Sequence, residues 1–320
     1  MRLLLTFVVL VGLAAGVSFG AYQWFLGEVA KPGPLAAPAT VVIPQGTGLK
    51  AIAHQLAEAG VVREAWMVEL EARRSEQARA LKPGEYRFDP GVSIQSALGK
   101  IVRRDVVAHF LTIPEGLVTS DILRLIAAAD VLQGDVTASV KDGDLLPETY
   151  RYEYGDTRGV VVARMKQARD AALSELWAGR AQGLPIATPE EAVVLASIVE
   201  KETGLAAERP KVAAVFVNRL RRSMRLQSDP TVSYGIAPDG LGRTLTRADL
   251  EHPTPFNTYT IDRLPPAPIC HPGRASLNAV LHPAESNDLY FVADGSGGHA
   301  FAATLDEHNR NVAGWRQLQR

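Results

Sequence analysis

The stretch Thr188-Pro189-Glu190-Glu191-Ala192-Val193-Val194-Leu195-Ala196-Ser197-Ile198-Val199-Glu200-Lys201-Glu202-Thr203-Gly204 decides how the rest of the chain is read. Thr188 and Glu191 have the spacing of a capping box, in which the N-cap hydroxyl and the N3 carboxylate each satisfy a backbone N–H that the helix leaves unpaired. Pro189 suits the first helical position and Gly204 the residue just past the end. Between these signals Ala192 to Val199 are apolar nearly all round, so the helix is predicted to lie inside a domain. Two carboxylates then appear in its last turn. Residues two apart do not share a helix face. Glu202 continues the Val194/Leu195/Ile198 stripe, whereas Glu200 lies below Ala196 and Ser197. A carboxylate among apolar neighbours, at the negative end of a helix dipole, has its charged form destabilised. Such a Glu holds its proton near neutral pH and can serve as a general acid. The alternative makes both acids solvated groups of a frayed last turn, with Lys201 as a local partner.

Upstream, Val160 to Trp177 reads as a long amphipathic helix, broken by Gly179 to Ala187. Downstream, Val212, Val215, Phe216 and Leu220 recur at helical spacing within a helix from Arg209 to Met224, and the basic cluster Arg219 to Arg225 reads as a solvated face. Leu226 to Gly235 reads as a polar turn entering a segment with aromatic content, suited to a cleft wall. Pro253 to Gly273 is rich in proline and aperiodic, yet carries Asn257, Thr258, Tyr259 and Thr260. A long loop that is neither low-complexity nor charged is more often functional than disordered. Its amides, hydroxyls and aromatic ring are what a sugar requires. Ser276 to Leu281 reads as a short helix. Leu289 to Ala293 and His299 to Phe301 read as a hairpin joined through Asp294-Gly295-Ser296-Gly297-Gly298. The last helix opens on a second capping box, Thr304 to Glu307, and runs to about Gln317.

At the other end, Leu3 to Ala21 contains no charge and is followed by Tyr22 and Trp24. That is close to the ~20 residues needed to cross a bilayer, and the aromatics suit its interface. A retained anchor is preferred to a cleaved signal peptide, because the apolar run is long and no Ala-x-Ala site precedes the polar part. Arg2 places the N-terminus inside and the bulk of the chain outside. Prolines 32, 34 and 38 stiffen the segment that follows. From Val41 an approximate repeat begins. Val42-Ile43-Pro44-Gln45-Gly46 leads into a helix near Leu49 to Ala59, and Thr112-Ile113-Pro114-Glu115-Gly116 into another near Ser120 to Ala129. Between them lie a short strand, Gly84 to Phe88, and a helix near Ile94 to Val102. These short strand–helix units resemble the LysM carbohydrate-binding module, with a ligand-free α+β spacer as the alternative. The expected organisation is α+β: a transmembrane anchor over 1–26, a proline-rich linker over 27–40, a LysM-like region over 41–158 and a catalytic domain over 159–320.

The totals exclude several function classes. The 320 residues suffice for more than one domain, and 47% hydrophobic with 22% charged residues is ordinary globular composition. A net charge of -1 supplies no basic excess for nucleic acid. One cysteine, Cys270, permits no internal disulfide and no cysteine-based zinc site. The Ser296 segment does not match G-x-S-x-G, and it falls in a hairpin turn, not a strand-to-helix elbow. His271, His282, His299 and His308 lack zinc-ligand spacing, and no phosphate-cradling glycine motif occurs. No metal or cofactor is expected. A lone acid does not fit ordinary glycoside hydrolysis, which uses two carboxylates, although Asp229 and Glu148 remain candidates for a second. A reaction in which the substrate's own hydroxyl attacks the anomeric carbon needs only one acid/base.

Ala196-Ser197-Ile198-Val199-Glu200-Lys201-Glu202-Thr203 resembles the YceG-like (MltG) family of membrane-anchored endolytic murein transglycosylases. Arg219-Leu220, Met224 to Val232, Pro255-Phe256-Asn257-Thr258-Tyr259, Leu264-Pro265-Pro266 and Tyr290 to His299 extend the resemblance. The resemblance implies a single inner-membrane span and a periplasmic catalytic domain. It also implies cleavage of nascent peptidoglycan between N-acetylmuramic acid and N-acetylglucosamine, leaving a 1,6-anhydro end. The family's catalytic Glu, directly before the Thr of this motif, falls on Glu202. Gln227, Asp229, Thr231, Asn257 and Tyr259 lie in family motifs and are expected to line the glycan cleft. The implied partners are glycan strands, the inner membrane and the cell-wall synthesis machinery. Asp144-Leu145-Leu146-Pro147-Glu148-Thr149-Tyr150 departs from the family's more aromatic segment, which leaves Glu148 without an assigned role. A non-catalytic, membrane-anchored wall-binding scaffold is the other reading of the chain.

Overall fold

A computed structural model describes residues 1–137 and 139–318. The chain resolves into two compact units, Met1–His109 with Tyr152–Asp156, and Phe110–Arg151 with the chain from Thr157 onward.

The first unit opens with α1 (Arg2–Ala30), whose apolar early turns are exposed while Phe25 and Val29 are buried. It is the one helix among the described residues long and apolar enough to cross a membrane. β1 (Ala39–Ile43), α2 (Leu49–Glu58), α3 (Ala65–Arg74), β2 (Gly84–Phe88) and α4 (Ile94–Val102) follow. β1 and β2 pair antiparallel, from Ala39 opposite Phe88 to Ile43 opposite Gly84. Alternation puts Val41, Ile43, Tyr86 and Phe88 on one face, where Leu56, Val68, Leu98 and Ile101 of the helices cover them. α1 continues four residues into the predicted 27–40 linker, because Phe25 and Val29 join this core. The proline segment beyond it is tied down: Gly33 N–H donates to Val92 O and Gly91 N–H to Leu35 O. A Cβ on Gly33 would lie 2.4 Å from Val92 O, so only glycine permits this approach.

The second unit contains most of the chain. The division between units falls within β3 (His109–Thr112) and β4 (Thr149–Tyr152), which pair with each other. α5 (Thr119–Ala128) packs with the second unit, although the sequence placed it in a front region over 41–158. The reason is a set of bonds formed far along the chain: Gly116 N–H to His271 O, His271 N–H to Leu117 O, and Leu145 N–H to the His271 ring. α6 (Arg158–Ala178), α7 (Pro189–Glu202), α8 (Arg209–Arg221), α9 (Asp229–Ile236), α10 (Arg247–Glu251), α11 (Arg274–Leu281), β5 (Tyr290–Ala293), β6 (His299–Ala302) and α12 (Leu305–Leu318) complete it. The predicted hairpin is present, with Tyr290 opposite Ala302 and Ala293 opposite His299. The segment after the turn at Leu226 is helix α9, with Asp229 and Pro230 in its first turn.

α7 is the axis of this unit. Every residue from Ala192 to Val199 is buried, packed against α6, α8, α9 and α11. The Thr188 hydroxyl accepts from Glu191 N–H at 3.2 Å, but the Glu191 carboxylate reaches Ala187 N–H, one residue before the N-cap. Gly204 is not used as a left-handed stop. The helix ends instead because Thr203 turns extended (φ -141, ψ 131) and its hydroxyl accepts from Leu205 N–H. Leu195 is 0% exposed at the centre of the cluster. Leu195→Ala is expected to lower the stability of the second unit by about 2–5 kcal/mol through lost contacts and a residual cavity, read as a drop in its urea midpoint.

Candidate active site

The two acids at the end of α7 have different surroundings. Glu200 is pinned: Oε1 accepts from Arg209 at 3.0 Å, and Oε2 accepts from Gly273 N–H at 2.9 Å. Its side chain is 5% exposed and fully engaged as a structural ion pair. Arg209 also holds Glu115 at 2.9 Å. Burial, then the charge of Glu200, pushes the Glu115 carboxyl above its ordinary range. Ser197, on the same face of α7 as Glu200, is 0% exposed and accepts from Ile269 N–H at 3.0 Å. Both polar groups on that face therefore stitch the 253–273 loop onto the helix.

Glu202 lies on the other face, half-buried, beside the turn before α9. The Ser228 hydroxyl donates a short hydrogen bond to Glu202 Oε1. Burial pushes the Glu202 carboxyl up to about 7; the Ser228 bond opposes this and the negative charge of Asp229 adds to it. More remote attraction from His299 and Arg219 pulls the same way as Ser228. The carboxyl therefore exchanges its proton near neutrality, which is the property a general acid and base must combine.

The other predicted site residues fall into two groups. Gln227, Asp229 and Tyr259 gather on the solvent side of the turn. Asp229 is exposed, and its Oδ1 accepts from the Tyr259 hydroxyl at 2.6 Å. Burial, then this bond, pushes the Tyr259 phenol well above its usual range, so it stays neutral. Gln227 is exposed and held at φ 52, a left-handed conformation uncommon outside glycine. Its N–H donates to Thr258 O at 3.1 Å. Thr231 and Asn257, by contrast, are 0% exposed. The Thr231 hydroxyl is spent on Ser228 O at 2.6 Å and on the Thr258 hydroxyl at 2.8 Å. Asn257 Nδ2 donates to Leu250 O and His252 O, and its Oδ1 accepts from Tyr259 N–H. Thr231 braces the 226–231 segment against Thr258, Asn257 ties the 254–260 segment to the end of α10, and neither reaches the surface. Glu148 is exposed, and its carbonyl accepts from Ile113 N–H.

Three contributors were not picked out from the sequence. Ser228 sits within a quoted motif, but only the fold brings it to Glu202. Arg219, read as part of a solvated basic face, is 7% exposed; Nε donates to Leu289 O at 2.6 Å and Nη1 to Leu226 O at 2.7 Å. It ties α8 to the turn before α9 and to the start of the hairpin. Its neighbour three residues on, Arg222, is exposed as expected. His299 Nδ1 pairs with Glu208 Oε2 at 2.7 Å, and its N–H donates to Glu208 Oε1 at 2.8 Å. Burial raises the Glu208 carboxyl, but these bonds outweigh it and hold Glu208 below its ordinary range.

Beside Lys201 and Asp229 opens a cavity of about 340 Å³, walled further by Val118, Ser233, Tyr234 and Ile269. Ser296, at the hairpin turn, donates both its N–H and its hydroxyl to Asp294 at 2.8 Å, a turn-stabilising role. Among the described residues no three of His, Cys, Asp and Glu converge as a metal-binding group.

The raised Glu202 carboxyl ties stability to pH. Below its ordinary value of 4.5 the group is protonated in both folded and unfolded chains, and its burial costs nothing extra. Between 4.5 and about 7 the unfolded chain loses the proton while the folded chain keeps it, so folding stability falls as pH rises. Urea midpoints across that window should show this decline in the native chain and a flatter profile in Glu202→Gln. The variant is expected to be the more stable of the two at pH 8.

The YceG-like family model matches residues 41–314. The endolytic murein transglycosylase of Bacillus subtilis is 29% identical over 301 residues, covering 84% of this chain and 82% of the relative. That of Streptococcus pneumoniae is 28% identical over 97% of this chain, which spans 64% of the relative's length. A YceG-like protein from Listeria monocytogenes, solved by crystallography at 2.6 Å, superposes with a TM-score of 0.52 at 28% identity, over 85% of this chain and 98% of that one. A family-model match over that span, most of the chain, places this chain in the YceG-like family.

Proposed function

We propose that this chain is an endolytic lytic transglycosylase of peptidoglycan, cutting between N-acetylmuramic acid and N-acetylglucosamine. The observation that carries the reading is the Glu202 carboxyl, held at the end of a buried helix and balanced near neutrality by burial and Ser228. The names of the bacterial relatives support the substrate class.

One acid suffices for the chemistry. Glu202 in its protonated form gives its proton to the bridging oxygen as the bond from the muramyl anomeric carbon breaks. The resulting carboxylate then takes the proton from the muramyl 6-hydroxyl as that oxygen bonds to the same carbon. The 1,6-anhydro ring closes, no water is consumed, and the enzyme returns to its starting protonation state. The reacting carbon gains positive character on the way, and the negative charge of the exposed Asp229 would favour it. Gln227, whose carboxamide oxygen accepts from Arg219 at 3.4 Å, offers its NH2 to sugar oxygens. The neutral Tyr259 phenol adds a ring face and a hydroxyl. Thr231 and Asn257 act as positioning residues that fix these three.

We assign α1 as a single-pass anchor in the cytoplasmic membrane, with the rest of the first unit and the second unit in the periplasm. Its 29-residue length and hydropathy support the assignment, and glycan strands would be cut close to where they are made. The β1-α2-α3-β2 order of the first unit, with its antiparallel strand pair, supports a LysM-like glycan-holding role.

Purified sacculi digested with the full chain should release muropeptides ending in the anhydro ring, identified by mass. Glu202→Gln should reduce this product at least about a thousand-fold, since proton transfer and bond cleavage both fail. Full activity of that variant would falsify the assignment. Reducing ends in place of anhydro ends would indicate attack by water, and bound but intact glycan a scaffold. Ser228→Ala removes a bond that lowers the Glu202 pKa, so the basic limb of the pH–rate profile should move to higher pH.

A further inference from the structure

α3 buries Val68, Glu71 and Ala72 against the core of the first unit and leaves Trp66 and Leu70 on its outer side, 48% and 46% exposed. Four residues apart, these two lie on one face of the helix. Next to them stand Tyr22 and Trp24 of α1, 47% and 55% exposed. The buried Phe25 ring lies 6.4 Å from that of Trp66. The two helices enclose a cavity of about 380 Å³, aromatic and aliphatic apart from Arg74 at its rim. Arg74 is held in place there: Nε and Nη2 each donate to the Glu71 carboxylate at 2.7 Å, and Tyr22 lies beside the same guanidinium. Arg73, the preceding residue, has its side chain 70% exposed and lies 3.7 Å from the Glu69 carboxylate. Such an open apolar groove, with aromatic rings on both walls and an arginine at its rim, is suited to contact with an apolar partner.

Its height along α1 identifies what fills it. At 1.5 Å per residue, Leu3 to Ala21 spans about 28 Å, close to the ~30 Å hydrocarbon thickness of a bilayer. Tyr22 to Phe25 therefore stand at the level where hydrocarbon gives way to headgroups, and they form one wall of the groove. Tryptophan and tyrosine favour this depth, with the ring in the apolar zone and the polar edge toward water. Long arginine stems reach from such a site to phosphate. A bilayer that receives the apolar run of α1 brings lipid to the mouth of the groove before any other partner can reach it.

We infer that α3 is an interfacial helix, and that the α1–α3 groove takes the upper acyl carbons of a bilayer phospholipid while Arg73 and Arg74 face its phosphate. The inference rests on the reading of α1 as a membrane anchor. Phe25 and Val29 already fasten α1 to the core of the first unit, and the segment through Gly33 is tied to Val92. Seating α3 in the headgroup layer adds a second point of attachment. The first unit is then held at a fixed tilt to the membrane and does not swing on a tether.

Single-tryptophan versions of the full chain, retaining Trp24 or Trp66 with the other three changed to Phe, distinguish the two levels of the reading. They are reconstituted in vesicles of phosphatidylethanolamine and phosphatidylglycerol carrying bromine near the headgroup end of the acyl chains. Both tryptophans should lose roughly half their emission, as interfacial rings do. Leu70→Glu should cut the quenching of Trp66 several-fold and leave that of Trp24 unchanged. Quenching of Trp24 without Trp66, or no effect of Leu70→Glu, overturns the interfacial helix and leaves the anchor standing. If neither tryptophan is quenched, the anchor reading fails with it.

Discussion

The structure of the second unit depends on one constraint: α7 is apolar on all sides and must be covered on all sides. A helix in that position cannot leave a polar atom unpaired, and the two polar groups on one of its faces organise what packs there. Ser197 and Glu200 take the N–H groups of Ile269 and Gly273, so a long proline-rich loop is drawn across the helix. That loop carries Thr258, which locks onto the turn before α9 and presents Ser228 to Glu202. The candidate site is thus a consequence of how a buried helix is satisfied.

The same helix turn shows how burial alone does not set a carboxylate's behaviour. Glu200 and Glu202 are two residues apart, and both are withdrawn from water. Glu200 has a guanidinium at 3.0 Å and a backbone N–H, which compensate its charge. Glu202 has one hydroxyl and, nearby, another negative charge in Asp229, with its cations more remote. Desolvation therefore wins at Glu202, and the proton is retained to about 7. A cation as close to Glu202 as Arg209 is to Glu200 would lock it in the charged state and remove the acid.

In the first unit the arrangement serves attachment. Phe25 and Val29 convert the end of an apolar helix into part of a folded core, and the proline segment that follows is hydrogen-bonded to the turn at 91–92 instead of hanging free. A stiff entry of this kind restricts how α1 can swing relative to the rest of the first unit.

The sequence by itself determined what depends on local periodicity and composition. It set the apolar N-terminal run, the buried nature of the helix from Pro189, the strand Gly84 to Phe88, the hairpin after Leu289 and the separation of Glu200 from Glu202 onto different faces. These are legible from side-chain spacing along single elements. Only the tertiary structure decided which groups meet: Ser228 with Glu202 across 26 positions, Gly273 with Glu200 across 73, and Arg219 with carbonyls of the hairpin and of the turn before α9 instead of with solvent. It also separated Thr231 and Asn257, turned inward, from Gln227, Asp229 and Tyr259, turned outward, although all five read alike as polar loop residues. A hydrogen bond is specified by position in space, and the burial that raises a carboxyl's pKa belongs to every element packed around it.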